Sequence, residues 1–195
     1  MRVSEQGLTG VVEGKYARVE RERRFLLAQL PPGAVVVRVA QITDRYLTGT
    51  RLRLRRMQHA DTGACEYKFT QKIPADRPGP TQGLITNTYL DQGEYDLLAT
   101  LPALVLSKTR LSVSPMGIDV FDGPLTGLVL AEAEFTTDAE AAGFVPPSYC
   151  LAEVTTDARF TGGRLAGTTN DELRTWLTDY DTRPATRLPW MPRDT

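Results

Sequence analysis

Arg51-Leu52-Arg53-Leu54-Arg55 is the stretch on which the fold of this chain turns. Alternate residues of a β-strand point to opposite faces, so it presents three guanidiniums on one face and two leucines on the other. Its neighbours follow the same rule. In Glu20-Arg21-Glu22-Arg23-Arg24, residues 20, 22 and 24 share a face; Glu66, Lys68, Thr70 and Lys72 share another, as do Lys108 and Arg110. Between Leu128 and Phe135, Glu132 and Glu134 stand opposite Ala131, Ala133 and Phe135, and Asp119 lies between Ile118 and Val120. One such strand is explained by a sheet with a solvated side. The set is harder to explain that way, because arginines at alternate positions repel one another unless anions lie between them. A sheet closed on itself with its charged faces inward lets carboxylates of other strands, or a polyanionic ligand, supply those anions. The expected class is α+β: an antiparallel closed barrel enclosing a polar tunnel, with helices packed on its apolar outside.

Turn signals separate the strands: Pro31-Pro32-Gly33, Asp61-Thr62-Gly63, Pro78-Gly79-Pro80, Ser114-Pro115-Met116-Gly117, Asp122-Gly123-Pro124 and Pro146-Pro147. Helical patterns are confined to Asp91–Leu101, with an acidic first turn, Thr136–Ala142 and Thr169–Tyr180, the last capped by Thr169 or Asn170. The expected organisation is one domain over residues 15–181 between tails at 1–14 and 182–195. With 195 residues, 41% of them apolar and 24% charged, the chain can fold a core, which excludes wholesale disorder.

Composition also narrows the chemistry. A net charge of −1 argues against a nucleic-acid coat protein. No apolar run approaches the roughly 18 residues of a membrane helix, and the first residues lack the layout of a secretory signal. A cytoplasmic setting with reduced cysteines is expected, Cys65 and Cys150 being far apart and reading as inert packing. The lone histidine, His59, reads as an exposed loop residue and leaves no His-rich metal site. A metal here would need carboxylate ligands, which favours magnesium or manganese over zinc.

The order of the motifs resembles a known family. Glu20-Arg21-Glu22-Arg23-Arg24 resembles the Glu-x-Glu-x-Lys signature of the CYTH domain, also called the triphosphate tunnel metalloenzymes. Arg45-Tyr46-Leu47 with Arg51–Arg55, Lys68–Lys72, Ser107–Arg110, Ile118–Phe121, Gly127–Phe135 and Glu153–Phe160 follow in the family's order, so the resemblance runs from about Arg18 to Ala166. It includes bacterial inorganic triphosphatases and relatives among class IV adenylate cyclases. It implies an eight-stranded antiparallel tunnel that binds a small-molecule triphosphate, cationic side chains on the phosphates, and Mg²⁺ or Mn²⁺ held by glutamates. Inorganic tripolyphosphate is the first substrate expected, then a nucleoside or thiamine triphosphate. No membrane or nucleic-acid partner is expected, and a homodimer is possible.

A triphosphate carries about four negative charges, so several fixed cations are needed to replace its water. Arginine suits the task because its planar fork can meet two phosphate oxygens at once. The phosphate-binding candidates are Arg53, Arg55, Lys72, Lys108 and Arg110, with Arg51 and Arg24 second. The resemblance implies Glu20, Glu22, Glu132 and Glu134 as metal ligands and Glu22, Glu134 and Arg24 as catalytic residues. Asp119 reads as orienting a lysine or arginine. Glu153 reads equally as a tunnel residue or as a loop tie, and Leu173 with Trp176 as docked core.

The chain departs from the family pattern in three places. Arg24 replaces a lysine; Thr88 and Leu90 stand where family hydrolases carry two tunnel glutamates; and Gly163-Arg164 replaces a lysine near the end of the match. Asp91 and Glu94 follow, on a helical pattern that keeps them outside the tunnel. These departures leave three readings: a metal-dependent triphosphatase, a non-hydrolytic polyphosphate or nucleotide-binding module, and a class IV cyclase-like enzyme.

Overall fold

The alternating stretches form strands in a computed structural model that describes residues 15–182. The expected tails, 1–14 and 182–195, lie outside the described residues apart from Thr182. The strands are β1 (Arg18–Leu26), β2 (Arg38–Leu47), β3 (Leu52–His59), β4 (Cys65–Pro74), β5 (Thr81–Leu90), β6 (Ala103–Val113), β7 (Met116–Phe121), β8 (Val129–Glu134) and the two-residue β9 (Ala152–Glu153). They pair in the order β5-β4-β3-β2-β6-β7-β8-β1, and β1 pairs again with β5, closing an antiparallel eight-stranded barrel. β9 adds only a short pairing beside Phe25 and Leu26. Closure leaves no long unpaired edge and gives every main strand two neighbours.

Helices α1 (Gln92–Leu98), α2 (Asp138–Gly143), α3 (Gly162–Leu165) and α4 (Asn170–Thr178) connect or follow the strands. Asp91, Thr137 and Thr169 cap α1, α2 and α4, each in a reciprocal capping box with a glutamate at the third helical position. Each box satisfies amide donors that a helix start otherwise leaves without partners. α1 lies on the outside, where Tyr95 sets its ring 4.7 Å from Tyr67 of β4.

The apolar residues form two cores on opposite sides of the barrel wall. Outside, Phe25, Leu27, Leu111, Val113, Ile118, Val120, Val129, Ala131 and Ala133 are covered by the segment carrying Leu30, Ala34 and Val36 and by Phe144 and Tyr149 beyond α2. Inside, Leu26, Leu106, Phe121 and Leu130 continue the faces that carry the charges elsewhere along the same strands. There they pack against Val154, Phe160, Leu165, Leu173 and Leu177. The C-terminal helices therefore seal one end of the barrel, where an outer position was expected for them. The physical reason is that the inward faces of β1, β6, β7 and β8 become apolar toward this end, and among the described residues the stretch from Val154 to Leu177 covers them. Leu173 and Trp176 belong to this core, as expected.

Candidate functional site

The polar part of the lumen is a cavity of about 770 Å³, within the range of small-molecule sites. Its basic side is built on β2, β3, β4 and β6. Asp44, on β2 and fully buried, accepts from Arg55 Nε at 2.6 Å and Arg55 Nη2 at 2.7 Å, with Arg53 Nε 3.6 Å away. Burial by itself would raise Asp44, but the guanidiniums of Arg55 and Arg53 outweigh it and hold the carboxyl well below the usual range. Arg53 also donates to Thr70 Oγ1 at 3.4 Å, and Thr70 donates to Asn87 Oδ1 at 2.8 Å. Asp119 plays the same part on β7: fully buried, it accepts from Lys108 and from Arg110 Nε at 2.6 Å. Asp119 thus orients both a lysine and an arginine.

The acidic side is built on β1 and β8. Register sets Glu22 opposite Glu134 and Arg24 opposite Glu132. Like charges directly across a strand pair repel, and two of the four glutamates find protein cations: Glu20 accepts twice from Lys72 at 2.8 Å, and Glu132 accepts from Arg110. Glu132 is thereby held low despite its burial, by Arg110 first and then Lys108. Glu22 is the opposite case. Burial first, then the neighbouring Glu132, push it up to about 7, and its nearest cation is Arg24 Nε at 3.4 Å. Arg24 is itself buried and spends its fork on Phe160 O at 2.7 Å, Thr155 O at 2.9 Å and Gln82 Oε1 at 3.0 Å. Its guanidinium ties the C-terminal segment to the barrel.

These carboxylates bear on the expected cation. Oxygen donors from adjacent strands, one carrying a proton affinity raised by burial first and then by a neighbouring carboxylate, suit a small divalent ion by charge and donor type. Among the described residues no group of three His, Cys, Asp or Glu side chains converges on one point, since Glu20 and Glu132 face Lys72 and Arg110. The residues fit such an ion chemically, with Glu22 and the exposed Glu134 the members not engaged at hydrogen-bond distance.

The β5 wall corrects the sequence reading. Thr88 and Leu90 do not face the tunnel: they pair with Phe69 and Tyr67 of β4, on the outer face beneath α1. The lumen positions are Ile85, Asn87 and Tyr89, opposite Lys72, Thr70 and Lys68. A one-residue offset moves a whole strand's side chains to the other face. Here the face is set by pairing with β4 and by a register shift between Glu20 and Arg21, opposite Gly83, none of which a motif alignment shows. A Cβ at Gly83 would lie 2.0 Å from Ile73 O, so the close crossing of strands there requires glycine. The β5 wall still lacks a carboxylate, for different residues than expected.

The third departure also has a structural basis. A Cβ at Gly162 would lie 1.9 Å from the Tyr46 hydroxyl, so the start of α3 passes against the tunnel lining with no room for a side chain there. Tyr46 is pushed up to about 12 by burial and the nearby Asp44. Arg164 points to the surface, 3.3 Å from Glu172. Arg51 sits exposed at this end of the lumen. Glu153 proves to be a tie outside the tunnel, with Arg23 Nη2 at 2.6 Å. His59 is a correction: it ends β3 and holds Glu66 at 2.6 Å, and is not an exposed loop residue. Asp44 and Tyr46 were missed as site residues, although their even spacing within β2 was a usable signal.

No protein-family model matches the chain. An inorganic triphosphatase of Nitrosomonas europaea is 32% identical over 160 residues, covering 75% of this chain and 96% of the relative. A crystal structure of an inorganic triphosphatase superposes with a TM-score of 0.52 at 28% identity, covering 77% of this chain and 96% of that one. A protein from Pyrococcus horikoshii OT3 shares the fold, with a TM-score of 0.50 at 19% identity over 63% of this chain and 82% of its own.

Proposed function

The chain belongs to the CYTH, or triphosphate tunnel, family, and on that premise we propose that it hydrolyses a small triphosphate, inorganic tripolyphosphate first, with Mg²⁺ or Mn²⁺ as cofactor. The observation that carries this reading is the pairing of buried aspartates with the lumen cations. Asp44 holds Arg53 and Arg55, and Asp119 holds Lys108 and Arg110, so the forks are oriented before any ligand arrives. Preoriented donors in a water-poor site stabilise charge without reorganising during the reaction. Lys72 and Arg51 extend the basic lining toward the end where the start of α3 crosses it.

When bound, a divalent cation would neutralise charge on the phosphate under attack, and Glu20, Glu22, Glu132 and Glu134 are the residues to hold it. The chain's own part is to grip the phosphates from β3, β4 and β6 and to present carboxylates from β1 and β8 on the opposite side of the lumen. Glu22, with its raised proton affinity, can hold or accept a proton near neutral pH. Arg24 positions Glu22 and the C-terminal segment.

A second reading, binding without turnover, is favoured by one observation: β5 presents Ile85, Asn87 and Tyr89 to the lumen and no carboxylate. One experiment separates the two. Phosphate release from tripolyphosphate, ATP and thiamine triphosphate is followed with Mg²⁺, Mn²⁺ or a chelator, with Glu22→Gln as the control for contaminating phosphatase. Metal-dependent release that Glu22→Gln abolishes supports the hydrolase; tight binding by calorimetry with no release supports the binding module.

A further inference from the structure

Most cations of the lumen already have a carboxylate partner. Arg53 and Arg55 share Asp44, Lys108 and Arg110 share Asp119, and Lys72 holds Glu20. Lys68 differs. It lies on the inward face of β4, half-buried, opposite Arg55 on one side and Tyr89 on the other. Among the described residues no carboxylate comes within ion-pair distance of it; its recorded contact is with the face of the Tyr89 ring, 5.3 Å from the centroid. An ammonium over an aromatic face is steadied by the ring quadrupole while its donors remain available. Burial first, then the neighbouring Arg55 and Arg53, push its pKa down, and the more distant Glu66 and Glu134 offset this only in part.

Its place along the tunnel matters as well. Gly162, the first residue of α3, meets Tyr46, which pairs with Arg53, which pairs in turn with Thr70. Lys68 is two residues further along β4, away from that sealed end, by roughly 7 Å at the rise of an extended strand. Beside it Tyr89 is 67% exposed, at the open end of the lumen. Arg53 thus lies at an inner level, and Lys68, with Arg55 directly across from it, at an outer one on the same wall.

We propose that Lys68, steadied by Tyr89, is the outer phosphate-binding residue of the tunnel and sets its preference for a triphosphate over a diphosphate. The inference rests on the triphosphate reading above and adds a residue that discriminates by chain length. A pyrophosphate held at the inner level, by Arg53, leaves Lys68 without a phosphate partner, whereas the third phosphate of tripolyphosphate reaches it.

The test is calorimetry of tripolyphosphate and pyrophosphate in chelator with wild type, Lys68→Met and Lys68→Arg, and KM for tripolyphosphate with Mg²⁺. Thermal melts verify that each variant is folded. Lys68→Met is expected to weaken tripolyphosphate about tenfold or more, the scale of one charge-assisted contact, and pyrophosphate less than about twofold. Lys68→Arg should restore most of the loss, which a purely structural lysine would not require. Unchanged tripolyphosphate affinity in Lys68→Met, or equal loss for both ligands, overturns the inference and leaves the triphosphate reading standing. Wild type that binds neither polyphosphate in chelator and shows no turnover with Mg²⁺ overturns both.

Discussion

The two sides of the tunnel solve opposite electrostatic problems. On β2, β3, β6 and β7, each buried aspartate sits among cations: Asp44 under Arg53 and Arg55, Asp119 under Lys108 and Arg110. On β1 and β8 the carboxylates outnumber what Lys72, Arg24 and Arg110 can offset, and Glu22 is pushed up to about 7 by its burial first and then by Glu132. The basic side is complete within the protein, and its excess of donors is turned toward a ligand. The acidic side is under tension that a proton or a divalent cation relieves. Site residues on the first side therefore also hold the fold, whereas on the second Glu22 acts against it while Glu20 and Glu132 are paired.

Breaking the basic side should have the largest effect. Asp44→Asn leaves Arg53 and Arg55 buried without a counter-charge and should cost about 3–5 kcal/mol, read as a lower urea midpoint. An unchanged midpoint would mean that Asp44 does not anchor the pair. For the same reason Arg55→Ala should lower the urea midpoint as well as weaken triphosphate binding, because it leaves the buried Asp44 short of its closest cation.

On the acidic side, Glu22→Gln should lower metal-dependent phosphate release by on the order of 100-fold, while leaving a fold at least as stable as wild type at pH 8 in chelator. Retained activity would remove Glu22 from the reaction. The pH dependence sharpens the same contrast. The native state binds the Glu22 proton more tightly than the unfolded chain, so stability should fall as pH rises from 4.5, its ordinary value, through about 7, and level off above. The whole change is on the order of 3 kcal/mol. Melts in chelator between pH 5 and 8 should show it, Glu22→Gln should flatten it, and Mg²⁺ or Mn²⁺ should raise the melting temperature most at the upper end. A wild-type profile flat in chelator would contradict the proposed crowding. The smallest effect is expected for Arg51→Ala. Exposed at the sealed end, Arg51 should contribute less than about tenfold to triphosphate affinity, with a steeper loss at low salt and no change in melting temperature.

Much of this contrast was legible in the chain. Glu20, Glu22, Arg24, Glu132 and Glu134 were assigned to inward faces from alternation alone, and Lys72, Lys108, Arg110, Arg53 and Arg55 likewise. Asp119 was read as an orienting group. β5 is where the sequence misleads: the motif match puts Thr88 and Leu90 in the lumen, because a match of letters carries no information about faces. Glu153, left open between two roles, turned out to bind Arg23 outside the barrel. Asp44 was passed over because one acid beside an arginine in sequence looks like an ordinary surface pair, while in space its partners are Arg53 and Arg55 on the next strand.

By itself, then, the sequence determined the alternation of charge and apolar side chain, and with it the inward-facing cations and carboxylates, because side-chain direction on a strand follows from local backbone geometry. Only the tertiary structure decided which charges neutralise one another, which residues of β5 enter the lumen, and that the last helices seal the barrel's end. Those depend on register between strands distant in sequence and on the closure of β1 against β5. Such pairing is set by the summed packing and hydrogen bonding of the whole barrel, which no local stretch encodes.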